Sequence, residues 1–362
     1  MLELLINPYI QTILKVIFLI FLVVLPSAAL LTLMERKWSA LIQDRRGPGR
    51  ANIGKFTFLG IFHILADGMK LALKEDFYPA GTNRFLFTIA PYFGFFSAVT
   101  LFALLPITSP LGNFTFQIVD VNIGILMILA YMSFSIYGAV LAGWSTDNKY
   151  GMLGAVRASA QMISYEVFLG VSLLGLLVVY NSLRISDIVA GQNEYWFNGL
   201  IPKWGILTQP IGFLIFFTAI LAEMKRAPFD APEGESEIVA GFFIEYSGMR
   251  FALFFLAEYI SLVGMAMLIS TLFLGSYHFP WLLDAGFKLG SLPLVELPQW
   301  LVVFLRFITF GGKVLFCCWL IISIRWSLPR FKFDQIMKLG WNRLMPLGIL
   351  NLIITILVTL LF

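Results

Sequence analysis

Apolar residues fall in long unbroken runs along this chain. A helix needs about 20 largely apolar residues to cross a bilayer, and eight windows qualify: roughly 10–34, 85–106, 121–143, 158–180, 206–222, 251–275, 300–322 and 344–362. The predicted fold is an all-α polytopic membrane protein of about eight transmembrane helices, forming a single membrane-embedded domain over 1–362. Between the first two windows, Phe56 to Leu73 (FTFLGIFHILADGMKLAL) interleaves apolar residues with Asp67 and Lys70. That pattern predicts an amphipathic helix lying at the bilayer surface in the first connection. The first apolar run leads into a charged loop without a small-residue cleavage site, so it reads as a retained span. No tandem repeat divides the chain.

Composition agrees with lipid as the main solvent: 59% of the 362 residues are hydrophobic and 13% are charged, and the mean hydropathy is +0.86. A water-soluble domain cannot carry that balance. Of the 25 Lys and Arg, nineteen lie in the connections 34–84, 144–157, 223–250 and 323–343, and three (Arg184, Lys203, Lys288) lie in the opposite ones. The positive-inside rule then makes the four charged loops cytoplasmic and places both termini on the outer side. The formal charge of +4 follows from this topology, and no basic, aromatic-interleaved groove for nucleic acid is visible. Cys317 and Cys318 are sequence neighbours on a predicted helix. They cannot form an ordinary disulfide, and they offer no ligand set for a cluster.

Carboxylates inside spans carry the chemistry. An ionised acid near the bilayer centre costs about 3 kcal/mol on insertion scales, so it needs a partner or a water-filled cavity. Glu166 and Glu258 are such residues. Each serves either an ion pathway or packing through an interhelical ion pair, for which Arg306 and Lys313 in the seventh span are the available bases. The third loop, AEMKRAPFDAPEGESEIVAGFFIEYSGMR, gathers Glu223, Asp230, Glu233, Glu235, Glu237 and Glu245. Ile238, Val239, Phe242, Phe243 and Ile244 between them are poor choices for a solvated loop, and Pro228 and Pro232 interrupt a continuous helix. The segment is expected to fold back into the protein, where crowding and burial raise carboxylate pKa values toward neutrality. The Gly47, Pro48, Gly49 triplet is a turn without the context of a nucleotide loop. His63 and His278 are isolated and make no metal site.

Five blocks, MERKWSALIQDRRGPGR, LADGMKLALKED, NKYGMLGAVRASAQMISYEV, AEMKRAPFDAPEGESEIVAGFFIEYSGMRFALFFLAEY and RWSLPRFKFDQIMKLGWNRLMPL, occupy all four charged loops. Together they resemble the family of complex I (NADH-quinone oxidoreductase) membrane subunits that house the quinone chamber in bacteria and mitochondria. The resemblance implies a bacterial inner-membrane subunit that binds quinone as a shared substrate and couples its reduction to proton translocation. It implies docking beneath iron-sulphur hydrophilic subunits, beside antiporter-like and small membrane subunits. Position by position it implies quinone-chamber roles for Glu35, Arg36, Arg45, Asp67, Lys70 and Phe255, with Arg325 and Arg330 near the mouth. It implies an acidic proton-transfer funnel of Glu166, Glu223, Asp230, Glu233, Glu235, Glu237, Glu245 and Glu258. His63 and Ile64 depart from the glutamine and proline many members carry there, and GPGRANIGKFTFLG before them is longer than usual, which bears on the shape of the first-loop wall. The chain has no flavin fold, nicotinamide site, cluster ligand set or metal site of its own, so a partner must supply the electrons. Two other readings share parts of this pattern. One is the related membrane subunit of an energy-converting hydrogenase; the other is a free-standing ion transporter, for which inverted repeats are expected and none is apparent.

Overall fold

The computed structural model describes residues 8–52, 58–110, 115–196, 201–284, 286–287 and 295–361. Among them seven helices are long and apolar enough to cross a membrane. The first begins as α1 (Pro8–Phe18), passes through a π-helical turn (Leu19–Val24) and continues as α2 (Leu25–Ile42). After the short α3 (Phe62–Leu73) come α4 (Arg84–Leu104), α5 (Gly124–Ser145) and α6 (Lys149–Tyr180). The small helices α7 (Ile185–Gly191) and α8 (Gly205–Thr208) precede α9 (Pro210–Glu223), and α10 (Glu235–Ile238) lies in the loop before α11 (Gly248–Phe273). The chain ends with α12 (Gln299–Ser327), α13 (Phe333–Leu339), a π-helical turn (Gly340–Leu344) and α14 (Met345–Leu361). The predicted fifth span is the exception in length: α9 has 14 residues, about 21 Å against a hydrocarbon core of about 30 Å.

The predicted interfacial helix is α3. It begins at Phe62, it buries no residue within the chain, and the start of the predicted segment, 53–57, lies outside the described residues. Helix α6 starts nine residues before the apolar window because Asn148 caps it, its side chain accepting from Tyr150 N at 2.9 Å, a strong helix-start signal that hydropathy averaging overlooks. Two helices organise the bundle: α6 packs against α5, α9 and α14, and α11 packs against α4, α12 and α2. These are the helices that carry Glu166 and Glu258. Small residues let backbones meet as apolar spans require; a Cβ on Gly138 of α5 would sit 3.1 Å from Ala90 O and Gly94 N of α4. Two short antiparallel ribbons lie at the end of the bundle away from the third loop. The first, β1 (Tyr195–Trp196) and β2 (Ile201–Pro202), pairs Tyr195 with Pro202. The second joins β3 (Leu282–Leu283), β4 (Gly286–Phe287) and β5 (Val295–Glu296).

Candidate functional site

The third loop folds back against the helices, as its apolar residues predict. Gly241 takes φ +60 and a Cβ there would collide with Pro232 O at 2.1 Å, while a Cβ on Gly154 of α6 would strike Gly241 Cα at 2.6 Å. Only glycine at both places lets loop and helix touch. The buried Gln161 amide on α6 donates to Ala222 O and to Phe229 O, both at 2.8 Å, so one side chain pins both ends of the turn that carries Arg226. The fourth loop laces onto the same turn, where Phe331 N donates to Pro228 O at 2.9 Å, and onto α6, where Tyr165 OH donates to Ile336 O at 2.9 Å.

Arg226, 2% exposed, is the hub. Its Nη1 lies 2.8 Å from Glu35 Oε2 and its Nε 2.7 Å from Glu258 Oε1, with the guanidinium 4.6 Å from the Tyr259 ring centroid. Glu35 also receives Arg325 Nη1 at 2.5 Å. The result is a chain of alternating charge, Arg325, Glu35, Arg226, Glu258, drawn from α12, α2, the third loop and α11. Two charges taken from water cost several kcal/mol each, and only well-placed counter-charges offset that; the fork of an arginine suits two carboxylates at once. Beside this chain Arg330 Nη2 meets Asp230 Oδ2 at 2.7 Å.

Glu258 also faces a cavity of about 90 Å³, shared with Glu223, Glu233, Lys225, Ser97 and Phe255, which is large enough to admit water. Neither oxygen of Glu223 has a hydrogen-bond partner among the described residues. Burial, reinforced by the neighbouring charge of Glu258, pushes Glu233 up to about 8. Burial also raises Asp230 above the usual carboxylate range, although Arg330 opposes it. Phe255 is half-buried on the wall and packs edge-on against Tyr259, ring centroids 4.9 Å apart. Glu166, on α6, accepts from Ser133 Oγ of α5.

The remaining candidates lie outside this core. Arg36 and Asp67 pair at 2.5 Å, each side chain about two-fifths exposed. Arg45 donates to Gln43 Oε1 at 2.8 Å on the surface, and Lys70 is exposed on α3. Arg36, Arg45, Arg46, Arg50 and His63 line one open cleft. Glu237 pairs with Arg157 at 2.6 Å and Glu245 accepts from Asn148 Nδ2 at 2.7 Å; these two acids tie the third loop to α6. The side chain of Glu235 lies outside the described residues.

One expectation is corrected. Arg306 and Lys313 partner neither intramembrane acid: Arg306 Nη1 meets Asp284 at 2.7 Å, and Lys313 Nζ donates to the carbonyls of Leu274, Ser276 and His278 at 2.6, 2.8 and 2.6 Å. Both face the opposite end of the bundle, so the base that reaches Glu258 comes from the loop. Sequence reading counts Arg226 only toward topology and passes over Gln161 and Ser133. For Arg226 a signal exists, since an arginine placed just before Pro228 in an apolar, acid-rich loop has few solvated places to go. Among the described residues no group of three or more His, Cys, Asp or Glu is placed to hold a metal ion.

A bundle of membrane-crossing helices whose third loop folds inward onto an acid-lined cavity defines a multi-pass membrane protein. The chain belongs to the NADH dehydrogenase family, whose model matches residues 14–356. It is 43% identical to the first H-type subunit of the NADH-quinone oxidoreductase of Geobacter metallireducens, over 93% of both chains. It is 44% identical to the second H-type subunit of the NADH-quinone oxidoreductase of Geobacter sulfurreducens, again over 93% of each. To NADH-quinone oxidoreductase subunit 8 of Rhodothermus marinus it is 43% identical, over 93% of this chain and 94% of that one.

Proposed function

We propose that this chain is the quinone-chamber subunit of a proton-translocating NADH-quinone oxidoreductase, respiratory complex I, working as a single membrane-embedded unit of a bacterial inner membrane with both termini outside. It holds no redox centre. Electrons reach quinone from iron-sulphur hydrophilic subunits seated on the four charged loops, and antiporter-like and small membrane subunits continue the proton path laterally.

The observation that carries this reading is Arg226 held between Glu35 and Glu258, with Glu258 opening onto the cavity it shares with Glu233 and Glu223. Quinone reduction consumes two electrons and two protons, so charge changes at the chamber. Arg36 with Asp67, and Arg45, Lys70 and Arg330 around them, form the charged rim where quinone is bound; Phe255 supplies an aromatic wall. Arg325 joins that rim to Glu35. A charge change there is felt along Glu35, Arg226 and Glu258, because opposed charges in a poorly solvated site interact strongly. Glu233, poised near neutrality, Glu223 and Asp230 then exchange protons as coupled groups and pass the change to Glu166. Glu235, Glu237 and Glu245 complete the acidic set on the loop side.

The test is Arg36→Ala in the complex assembled in membranes. NADH oxidation by quinone is expected to fall about tenfold, the scale of one charge-assisted contact, while NADH oxidation by a hydrophilic artificial acceptor holds. Unimpaired quinone reduction would remove Arg36 from the chamber.

A further inference from the structure

Among the described residues that line the acid cavity, one cation has no carboxylate partner. Glu35 and Glu258 are matched by Arg325 and Arg226, and Asp230 by Arg330. Glu223 and Glu233 remain, and Lys225 is the cation that shares their lining. Its side chain is half-buried, and its ammonium rests 4.5 Å from the Phe242 ring centroid, in place of an ion pair. Lys225 N donates to Ala222 O at 3.1 Å and closes α9, with the backbone at φ +55. Glycine is the usual residue in that left-handed place after a helix, and other side chains enter it at a cost. The turn so made sets Lys225 on the cavity two residues after Glu223, whose two buried oxygens have no hydrogen-bond partner among the described residues.

The rest of the wall adds no charge: α4 gives Ser97, α5 gives Ser135, α6 gives Met162 and α11 gives Phe255 and Ser261 beside Glu258. Glu258, Lys225, Asp230 and Arg325 are the charges that act on Glu233. Lys225 acts on Glu223 as well, against Glu166 of α6, which is bonded to Ser133. One ammonium balances one carboxylate. A second ionised carboxylate in a poorly solvated site has nothing to offset it, so it takes up a proton instead. Without the ammonium both acids would be neutral, and a proton arriving at the cavity would find no place to bind. Water in the cavity can bridge the ammonium to either acid.

We propose that Lys225 is a positioning residue for proton transfer: its ammonium keeps one of Glu223 and Glu233 ionised, so the cavity holds one vacant carboxylate beside one that carries a proton. This rests on the proton path given above. The test uses the intact complex in proteoliposomes, with the initial rate of proton pumping driven by NADH and quinone followed between about pH 6 and pH 9. Lys225→Met is expected to move the acid limb of that profile up by about one pH unit, a roughly tenfold loss of rate along the limb, because both acids then keep their protons to higher pH. Lys225→Arg returns the charge and is expected to restore the parental limb. Should Lys225→Met fail to assemble, the uncharged Lys225→Gln is read in its place; failure of both makes Lys225 a folding residue and overturns the proposal. An unmoved limb in the uncharged variant, or one that Lys225→Arg does not restore, also overturns it. Glu258→Gln separates the two readings. Lost pumping there beside an unmoved limb sinks the role of Lys225 alone, and parental pumping there sinks the path on which it rests.

Discussion

Buried cations occur at both ends of this bundle and are neutralised by different chemistry. At the loop end Arg226 is held by two carboxylates, from α2 and α11. At the far end Lys313 is held by three backbone carbonyls that follow α11, and Arg306 by the exposed Asp284. Carbonyls cannot take a proton in the working pH range, whereas carboxylates in a poorly solvated cavity can. The far end therefore anchors Lys313 through partners that cannot exchange protons, and the loop end gathers several carboxylates that can. His278 fits the contrast: burial, with Arg306 and Lys313 nearby, lowers it to about 3, so it stays neutral beside the anchor.

The largest effect belongs to the hub. Arg226→Met leaves Glu35 and Glu258 without their shared counter-charge, which in a buried pair costs about 3–5 kcal/mol. Loss of assembled complex from membranes is expected, read by native gel and quinone reduction; a fully active variant would dissolve the distinction between the two ends. Next comes the anchor. Lys313→Met strips three carbonyls of their donor and is expected to cost about 1–3 kcal/mol, lowering the thermal midpoint while protons pumped per electron stay at the parental value. A changed ratio would show that this end also takes part in moving charge. The smallest effect is on pH dependence. The folded state holds the Glu233 proton up to about 8, against an ordinary value of 4.5. Between those values the folded state binds more protons than the unfolded, so stability falls as pH rises. Glu233→Gln is expected to flatten that fall, followed as the thermal midpoint at pH 6 and pH 8. A parental slope would place Glu233 in contact with bulk water.

The spans are legible in the sequence because lipid imposes a length and an apolar composition that few other sequences meet, and seven long helices answer to them. The short α9 is legible as apolar and as the shortest window, but its start is not, since hydropathy cannot see Gln209 turning the chain. Glu258 and Glu166 stand out because their helical neighbours are apolar. Their partners do not, because Arg226 lies 32 residues from Glu258 and 191 from Glu35. Nothing local encodes that Arg226 will pass over the six acids of its own loop for Glu35 and Glu258. Arg306 and Lys313 mislead for the same reason: a base in a span is matched to an acid in a span, when the segment after α11 offers Asp284 to one and backbone carbonyls to the other. Glu35, placed by resemblance with the quinone residues, and Glu258, placed with the acidic funnel, share one guanidinium.

That shared guanidinium makes Glu258 the decisive residue. In proteoliposomes carrying the intact complex, protons pumped per NADH oxidised by quinone should fall sharply for Glu258→Gln. The loss should be much smaller for Glu237→Gln, whose carboxylate is half exposed beside Arg157; NADH oxidation by a hydrophilic acceptor should be parental in both. A parental pumping ratio in Glu258→Gln would contradict a proton path through the Arg226 network.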